Sequence, residues 1–149
     1  KSSRRQRQMC IRDSNKVDNN LIEKILNQKQ VPIISPLGLG SDNHPYNING
    51  DTAAGAIAKS LKSRRLLLMT NVEGVLDKNK KLIDEISSSE ILKMIEDNTI
   101  TEGMIPKINT CLDAVNNGVT AVGIIDGRKQ HSILFEIFSD KGSGTLIRK

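Results

Sequence analysis

Aromatic side chains are scarce in this 149-residue sequence, which has two phenylalanines, one tyrosine and no tryptophan. Proteins that hold single-stranded nucleic acid stack successive bases on several aromatic rings. Tyr46, Phe135 and Phe138 are too few to build such a platform. We therefore predict no nucleic-acid partner for the body of the chain.

Long apolar runs and closely spaced cysteines are also missing. No stretch reaches the roughly 18 apolar residues of a transmembrane helix, and no signal peptide is visible at the start of the sequence. Cys10 and Cys111 lie far apart with no metal-ligand spacing, which is typical of buried or incidental thiols in a reducing compartment. We predict a cytoplasmic protein with no membrane contact and no metal-binding side chains.

The net charge of +5 is unevenly distributed along the sequence. Residues 1–14 contain five basic residues and one acidic residue, so the rest of the chain carries only +1 of that total. The basic segment has no apolar periodicity, and we predict that residues 1–14 form a disordered or non-native leader. A nucleic-acid-binding arm is the alternative for this segment alone.

Short apolar runs alternate with helical patterns over the remainder, which is long enough for a single domain. The runs predict buried strands at 31–34, 66–69, 121–125 and 145–147, and a hairpin at 75–83. The periodic segments predict helices after Asp18, from Asp51 as a cap, after a Ser87–Glu90 capping box, from near Gly103 and over 131–138, with a loop over 35–50. Together they predict an α/β fold with a mainly parallel open sheet covered by helices on both faces.

Two charged residues at helix starts are candidates for chemistry. Asp51 begins one helix, and Asn47 and Asn49 precede it at alternating positions. Asp51 alone fits a helix cap equally well, and Lys107 alone fits a solvated surface lysine. However, a lysine near the positive end of a helix dipole is poorly placed for stability and well placed to meet a phosphate. A carboxylate that holds a lysine suits phosphoryl transfer.

The segment from Thr70 to Asp77 follows a predicted buried strand, where ligands bind in open α/β sheets. An ordinary strand-to-hairpin connection and a nucleotide-binding turn are equally compatible with its spacing. The sequence has neither a Walker A motif nor a Gly-x-Gly-x-x-Gly motif, so the common phosphate-binding loops are absent.

Five segments in order resemble the acetylglutamate kinases of the amino acid kinase family, over about Asn19 to Ile147. They read VPIISPLG, YNINGDTAAGAIAKSL, LLLMTNVEGVLD, ITEGMIPKINTCLDAVNNGV and HSILFEIFSDKGSGTLI. The resemblance implies the amino acid kinase (carbamate kinase-like) fold, truncated at its N-terminus. Residues 15–149 would then be the C-terminal, nucleotide-binding half of the domain.

The resemblance also implies an activity, which is the ATP- and Mg²⁺-dependent phosphorylation of the side-chain carboxylate of N-acetyl-L-glutamate in arginine biosynthesis. By similarity, Lys107 would stabilise the transferring phosphoryl group, Asp51 would orient catalytic lysines, and Asn47 and Asn49 would bind acetylglutamate. The nucleotide would be held by Thr70, Asn71, Gly74, Asp77, Gly103, Met104 and Lys107. Asn71 departs from the family, which usually has aspartate there.

Two further expectations follow from the resemblance. The family's N-terminal half supplies a second catalytic lysine, so we predict that this chain alone is an inactive fragment of an enzyme that is a homo-oligomer at full length. A tail of this form occurs in family members inhibited by L-arginine, which implies an effector site at His131, Glu136, Gly142 and Gly144. The alternatives are another enzyme of the amino acid kinase family and a non-catalytic arginine- or nucleotide-binding module.

Overall fold

The computed structural model describes residues 17–100, 103–140 and 142–149. The predicted leader and Cys10 lie outside these residues. The elements follow in the order α1 (Asn19–Asn27), β1 (Leu37–Leu39), β2 (Pro45–Asn47), α2 (Gly50–Ser60), β3 (Arg65–Thr70), β4 (Glu85–Ser87), α3 (Ser88–Glu96), α4 (Ile105–Asn116), β5 (Ala121–Asp126), α5 (Ser132–Phe138) and β6 (Gly144–Arg148).

The main sheet has four strands in the order β3-β5-β6-β4. β3 and β5 are parallel, with Thr70 opposite Asp126 at their carboxyl ends. β6 runs antiparallel to β5 and parallel to β4. Two of these three pairings are parallel, so the predicted mainly parallel sheet is confirmed.

Helices cover both faces of this sheet, as predicted. Val122 and Ile124 of β5 join a core with Ile108 and Cys111 of α4, all without exposed surface. The intervening Gly123 faces the other way, and a Cβ there would lie 3.4 Å from the Glu136 carboxylate of α5. Because successive strand residues point to opposite faces, α4 and α5 lie on opposite sides of β5.

The helices begin largely where the sequence indicates. Asp18 caps α1, and Ser87 and Glu90 form the predicted capping box at α3. The prediction that Asp51 caps α2 is wrong, because Asn49 is the N-cap and its side chain accepts hydrogen bonds from the backbone N–H groups of Asp51 and Thr52. This leaves the Asp51 carboxylate available for another partner.

The predicted strands and loops differ from the structure at several places. Residues 31–34 form no strand, and Ile33 is 98% exposed, because no strand in the described part of the chain pairs with them. The predicted loop over 35–50 contains the antiparallel β1–β2 hairpin. β4 was not predicted from the sequence. The predicted hairpin at 75–83 is present as a tight turn with a single Leu76–Leu82 bridge.

Candidate functional site

The chain topology brings the starts of α2 and α4 to one edge of the sheet. α2 leads into β3 and α4 leads into β5, and each helix packs against the strand that it precedes. A helix that returns the chain to the start of a parallel strand runs antiparallel to that strand. The N-termini of α2 and α4 therefore lie at the carboxyl ends of β3 and β5, where open α/β sheets bind ligands.

Three contacts show that α2 and α4 lie side by side and run in the same direction. Lys107 pairs with Asp51 in the first turns, Gly55 meets Thr110 one turn later, and Lys59 pairs with Asp113 beyond that. A Cβ on Gly55 would lie 2.9 Å from Cγ2 of Thr110. Glycine at this position therefore permits the close approach that joins the two helix starts.

The Lys107–Asp51 pair is the central feature of this edge. Lys107 Nζ donates a hydrogen bond to Asp51 Oδ2 at 2.5 Å. The Lys107 side chain is only 15% exposed and that of Asp51 31% exposed. Lys107 is therefore not the solvated surface lysine that the residue alone would suggest, since its ammonium group is held by a carboxylate from another helix.

The electrostatics of this edge favour an anion. Each helix N-terminus carries about half an elementary positive charge, and here two of them lie together with an ammonium group. Asp51 offsets part of that charge and restrains the lysine. An incoming phosphate would meet Lys107 and the backbone N–H groups in the first turn of α4, whose N-cap residue Met104 makes no side-chain cap.

The two predicted substrate residues lie directly before Asp51. Asn47 ends β2 and is exposed. The side-chain oxygen of Asn49 is used to cap α2, while its amide group is a further donor. The β1–β2 hairpin thus places two asparagines beside the first turn of α2.

The predicted nucleotide residues form a turn after β3 and a second short segment before α4. Thr70 ends β3, and its carbonyl accepts a hydrogen bond from the Gly127 N–H at 2.8 Å. The Asp77 carboxylate is occupied within its own turn, accepting from the backbone N–H groups of Asn79 and Lys81. Asn71 and Gly103 are exposed, and Met104 immediately precedes α4.

Charged residues at the end of β5 and directly after it face this turn. Asp126 is buried and accepts two side-chain hydrogen bonds from Arg128, each 2.9 Å long. These bonds lower the pKa of the Asp126 carboxyl to about 2. The neighbouring Lys129 lies 4.0 Å from Glu73 in the turn. No feature of the sequence marks this group, because Asp126 occurs there as the polar end of an apolar strand.

The predicted effector residues are only partly brought together. Glu136, Gly142 and Gly144 line a pocket of about 250 Å³ that Arg65 and Arg148 also line. Glu136 is buried, accepts a hydrogen bond from the Ser143 N–H at 2.9 Å, and lies 3.7 Å from the Arg65 guanidinium. His131 does not line this pocket and instead precedes α5. Arg65 was not predicted, since it reads as a polar residue at the start of a strand.

Among the residues that the structure describes, no group of three or more His, Cys, Asp or Glu side chains could hold a metal ion. Within the same residues, no helix is both long and apolar enough to span a membrane.

Comparisons with known proteins agree with this fold. The model of the amino acid kinase family matches residues 6–126. The chain is 56% identical to the acetylglutamate kinase of Pelagibacter ubique over 133 residues, which are 89% of this chain and 46% of that protein. It is 50% identical to the acetylglutamate kinase of Brucella abortus strain S19, covering 88% of this chain and 44% of that protein. The chain thus spans less than half the length of these relatives.

Solved structures with the same fold include two further proteins. One is the N-acetylglutamate synthase of Neisseria gonorrhoeae complexed with coenzyme A and L-arginine, with a TM-score of 0.83, 26% identity, and coverage of 90% of this chain and 31% of that chain. The other is the carbamate kinase of Giardia lamblia bound to AMP-PNP, with a TM-score of 0.68, 22% identity, and coverage of 89% and 50%. Because the family model matches most of the sequence, this chain belongs to the amino acid kinase family.

Proposed function

We propose that this chain is the nucleotide-binding part of an acetylglutamate kinase. The observation that supports it best is the Lys107–Asp51 pair at the joined N-termini of α2 and α4. Identities of 50–56% to proteins named acetylglutamate kinase support this substrate over those of other family members.

In the proposed reaction, an oxygen of the side-chain carboxylate of N-acetyl-L-glutamate attacks the γ-phosphorus of ATP. The bond between that phosphorus and the β,γ-bridging oxygen breaks, giving an acyl phosphate and ADP. Charge develops on the oxygens of the transferring group, and Lys107 together with the two helix ends would stabilise it. Asp51 would keep the ammonium group in place before the nucleotide arrives.

We propose the remaining roles for other residues around this edge. Asn47 and the amide group of Asn49 would donate hydrogen bonds to acetylglutamate. The turn from Thr70 to Asp77, with Gly103 and Met104, would hold the nucleotide. Mg²⁺ would arrive with ATP, because it is commonly bound through the phosphates with few protein ligands.

The experiment that tests this proposal is calorimetric titration of the chain with Mg²⁺-ATP. We expect saturable binding that Lys107→Met weakens by about tenfold or more, since a charge-assisted contact to phosphate is lost. Lys59→Met is the matched control, because Lys59 joins the same two helices through Asp113 at the opposite end. Absence of binding to the folded wild-type chain would overturn the proposal, as would equal effects of the two substitutions.

We further propose that the chain does not phosphorylate acetylglutamate by itself. It spans less than half the length of these relatives, and among the described residues Lys107 is the one lysine that pairs with the Asp51 carboxylate. Acyl phosphate trapped as a hydroxamate would report activity. Turnover by the chain alone would contradict this statement, whereas turnover only after mixing with the N-terminal half of the Pelagibacter ubique relative would support it.

A second candidate function is regulation by L-arginine at the pocket of Glu136. A buried carboxylate suits a guanidinium group, which it can bind through paired hydrogen bonds. Titration with L-arginine would test it, with Glu136→Gln as the variant and L-citrulline as a ligand of similar shape without the charge. Equal binding of both ligands, or none, would exclude the role of Glu136.

A further inference from the structure

A buried hydrogen bond connects the turn after β3, at residues 70–77, to strand β6. The backbone N–H of Val75 donates to the hydroxyl oxygen of Thr145 at 2.8 Å, across 70 residues of sequence. Thr145 is 1% exposed and Val75 is 3% exposed. A buried N–H without an acceptor is costly, so this contact fixes the position of the Val75 backbone.

The residue before Val75 packs directly on the same hydroxyl group. Gly74 has a φ of +151°, and a Cβ at this position would lie 2.5 Å from the Thr145 hydroxyl oxygen. The main chain of the turn therefore packs directly against Thr145, with no flexible side chain between them. Glycine is required here both for its backbone conformation and for this close approach.

Thr145 itself occupies a rigid place in the sheet. It lies opposite Ile124 in the antiparallel β5–β6 pairing, and β6 is bordered by β5 and β4. The ion pairs of the same region, Glu73–Lys129 and Lys78–Asp97, are between exposed side chains. Such pairs contribute little and weaken in salt, so the buried hydroxyl is the firmer support.

We propose that Thr145 is a positioning residue for nucleotide binding, which acts by holding the Gly74–Val75 backbone through its hydroxyl oxygen. The inference rests on the proposed function, because it assigns the turn to the nucleotide. Thr145 does not belong to the Lys107–Asp51 pair, which would bind the phosphates. It affects ATP affinity by fixing the conformation of the turn.

The test compares Mg²⁺-ATP affinity in four forms of the chain. Thr145→Val keeps the size and branching of the side chain but removes the acceptor, and Thr145→Ser keeps the acceptor. Thr120→Val makes the same chemical change at an exposed position outside the site. Amide hydrogen exchange at Val75, followed by NMR without nucleotide, reports the contact independently of ATP.

We expect Thr145→Val to weaken Mg²⁺-ATP binding by about tenfold and to speed exchange at Val75, as loss of one buried hydrogen bond predicts. Thr145→Ser and Thr120→Val should stay within about twofold of wild type. If Thr145→Val does not fold, Thr145→Cys replaces it, because sulfur is a weak acceptor.

Unchanged affinity in Thr145→Val would overturn the inference even if exchange at Val75 were faster, since the contact would then be structural only. An equal loss in Thr145→Ser would overturn it as well. Absence of Mg²⁺-ATP binding to the wild-type chain would instead overturn the proposed function. That outcome differs from failure of the present inference, because it is observed without any substitution at Thr145.

Discussion

Cys111 lies beneath the Lys107–Asp51 pair, in the core between α4 and the sheet, with no exposed surface. Burial raises the pKa of its thiol to about 12, because the thiolate would have to exist in an apolar environment; Lys107 lowers the pKa and Asp51 raises it to smaller extents. The thiol therefore stays neutral in the folded chain, and it behaves as a small apolar side chain.

The shifted pKa of Cys111 predicts a loss of stability in alkaline solution. Above a pH of about 9, the thiol of the unfolded chain loses its proton while the folded chain keeps it, so unfolding becomes more favourable as pH rises toward 12. In a Cys10→Ser background, the free energy of unfolding should fall by up to about 1.4 kcal/mol per pH unit more steeply than in the same background with Cys111→Ala. Urea unfolding at pH 8, 9 and 10 measures both slopes, and parallel slopes would contradict the prediction.

Single residues near the site differed in how well the sequence predicted them. Asp51 and Lys107 stood out because each charge occurs in the first turn of a helix, and the structure places them in contact. Thr145 and Arg65 gave no local signal, because their partners Val75 and Glu136 lie far away in the sequence. Their importance arises from the packing of strands that are distant in sequence.

At the level of elements, the separation of α2 and α4 is set by Gly55. This glycine lies in the middle of α2, where alanine would favour the helix by about 1 kcal/mol. Its Cβ, however, would meet Cγ2 of Thr110 at 2.9 Å, and threonine on a helix has little rotamer freedom to move away. The close approach thus outweighs helix propensity.

Gly55→Ala should therefore destabilise the chain by about 1 kcal/mol and weaken Mg²⁺-ATP binding, since overpacking costs about 1–3 kcal/mol and moves the Lys107–Asp51 pair apart. In a Thr110→Ser background the clashing methyl group is absent. There the same substitution should become neutral or stabilising by up to about 1 kcal/mol. Urea midpoints of the four proteins give the double-mutant cycle, and additive effects would show that the Thr110 contact is not the cause.

Helix boundaries were predicted well because their signals are local, as in the Ser87–Glu90 capping box. Strands were predicted less well because they depend on a partner. β4 has only three residues and exists through its pairing with β6, while the more apolar residues 31–34 have no such pairing among the described residues. Apolar content alone therefore did not distinguish them.

On the scale of the whole molecule, apolar surface is concentrated in two places. The large apolar side chains in the segment from Val31 to Leu39 are 47–98% exposed. Five of the seven residues of α5 also carry exposed apolar side chains, at 41–81%. β3 also pairs on one side only in the described sheet. Exposed apolar patches beside an open strand edge favour self-association.

Ile33→Lys should reduce self-association without loss of stability, because a side chain that is 98% exposed contributes no packing. Light scattering over a range of concentrations would measure the change, with thermal melting as the stability readout. Gln30→Lys is the control, since it adds the same charge nearby and removes no apolar side chain. An equal effect of the two variants would assign the improvement to charge rather than to the apolar segment.

The central position of β6 has a consequence for how the chain acquires its fold. β4 and β5 both pair with β6, which is the last strand in chain order. During synthesis, β3, β4 and β5 emerge well before the strand that joins β4 to the others, and contacts of such long sequence separation form slowly. The turn after β3 also cannot form its hydrogen bond to Thr145 until β6 has been made. The newly made chain would therefore pass through a stage that has secondary structure but an incomplete ligand-binding edge.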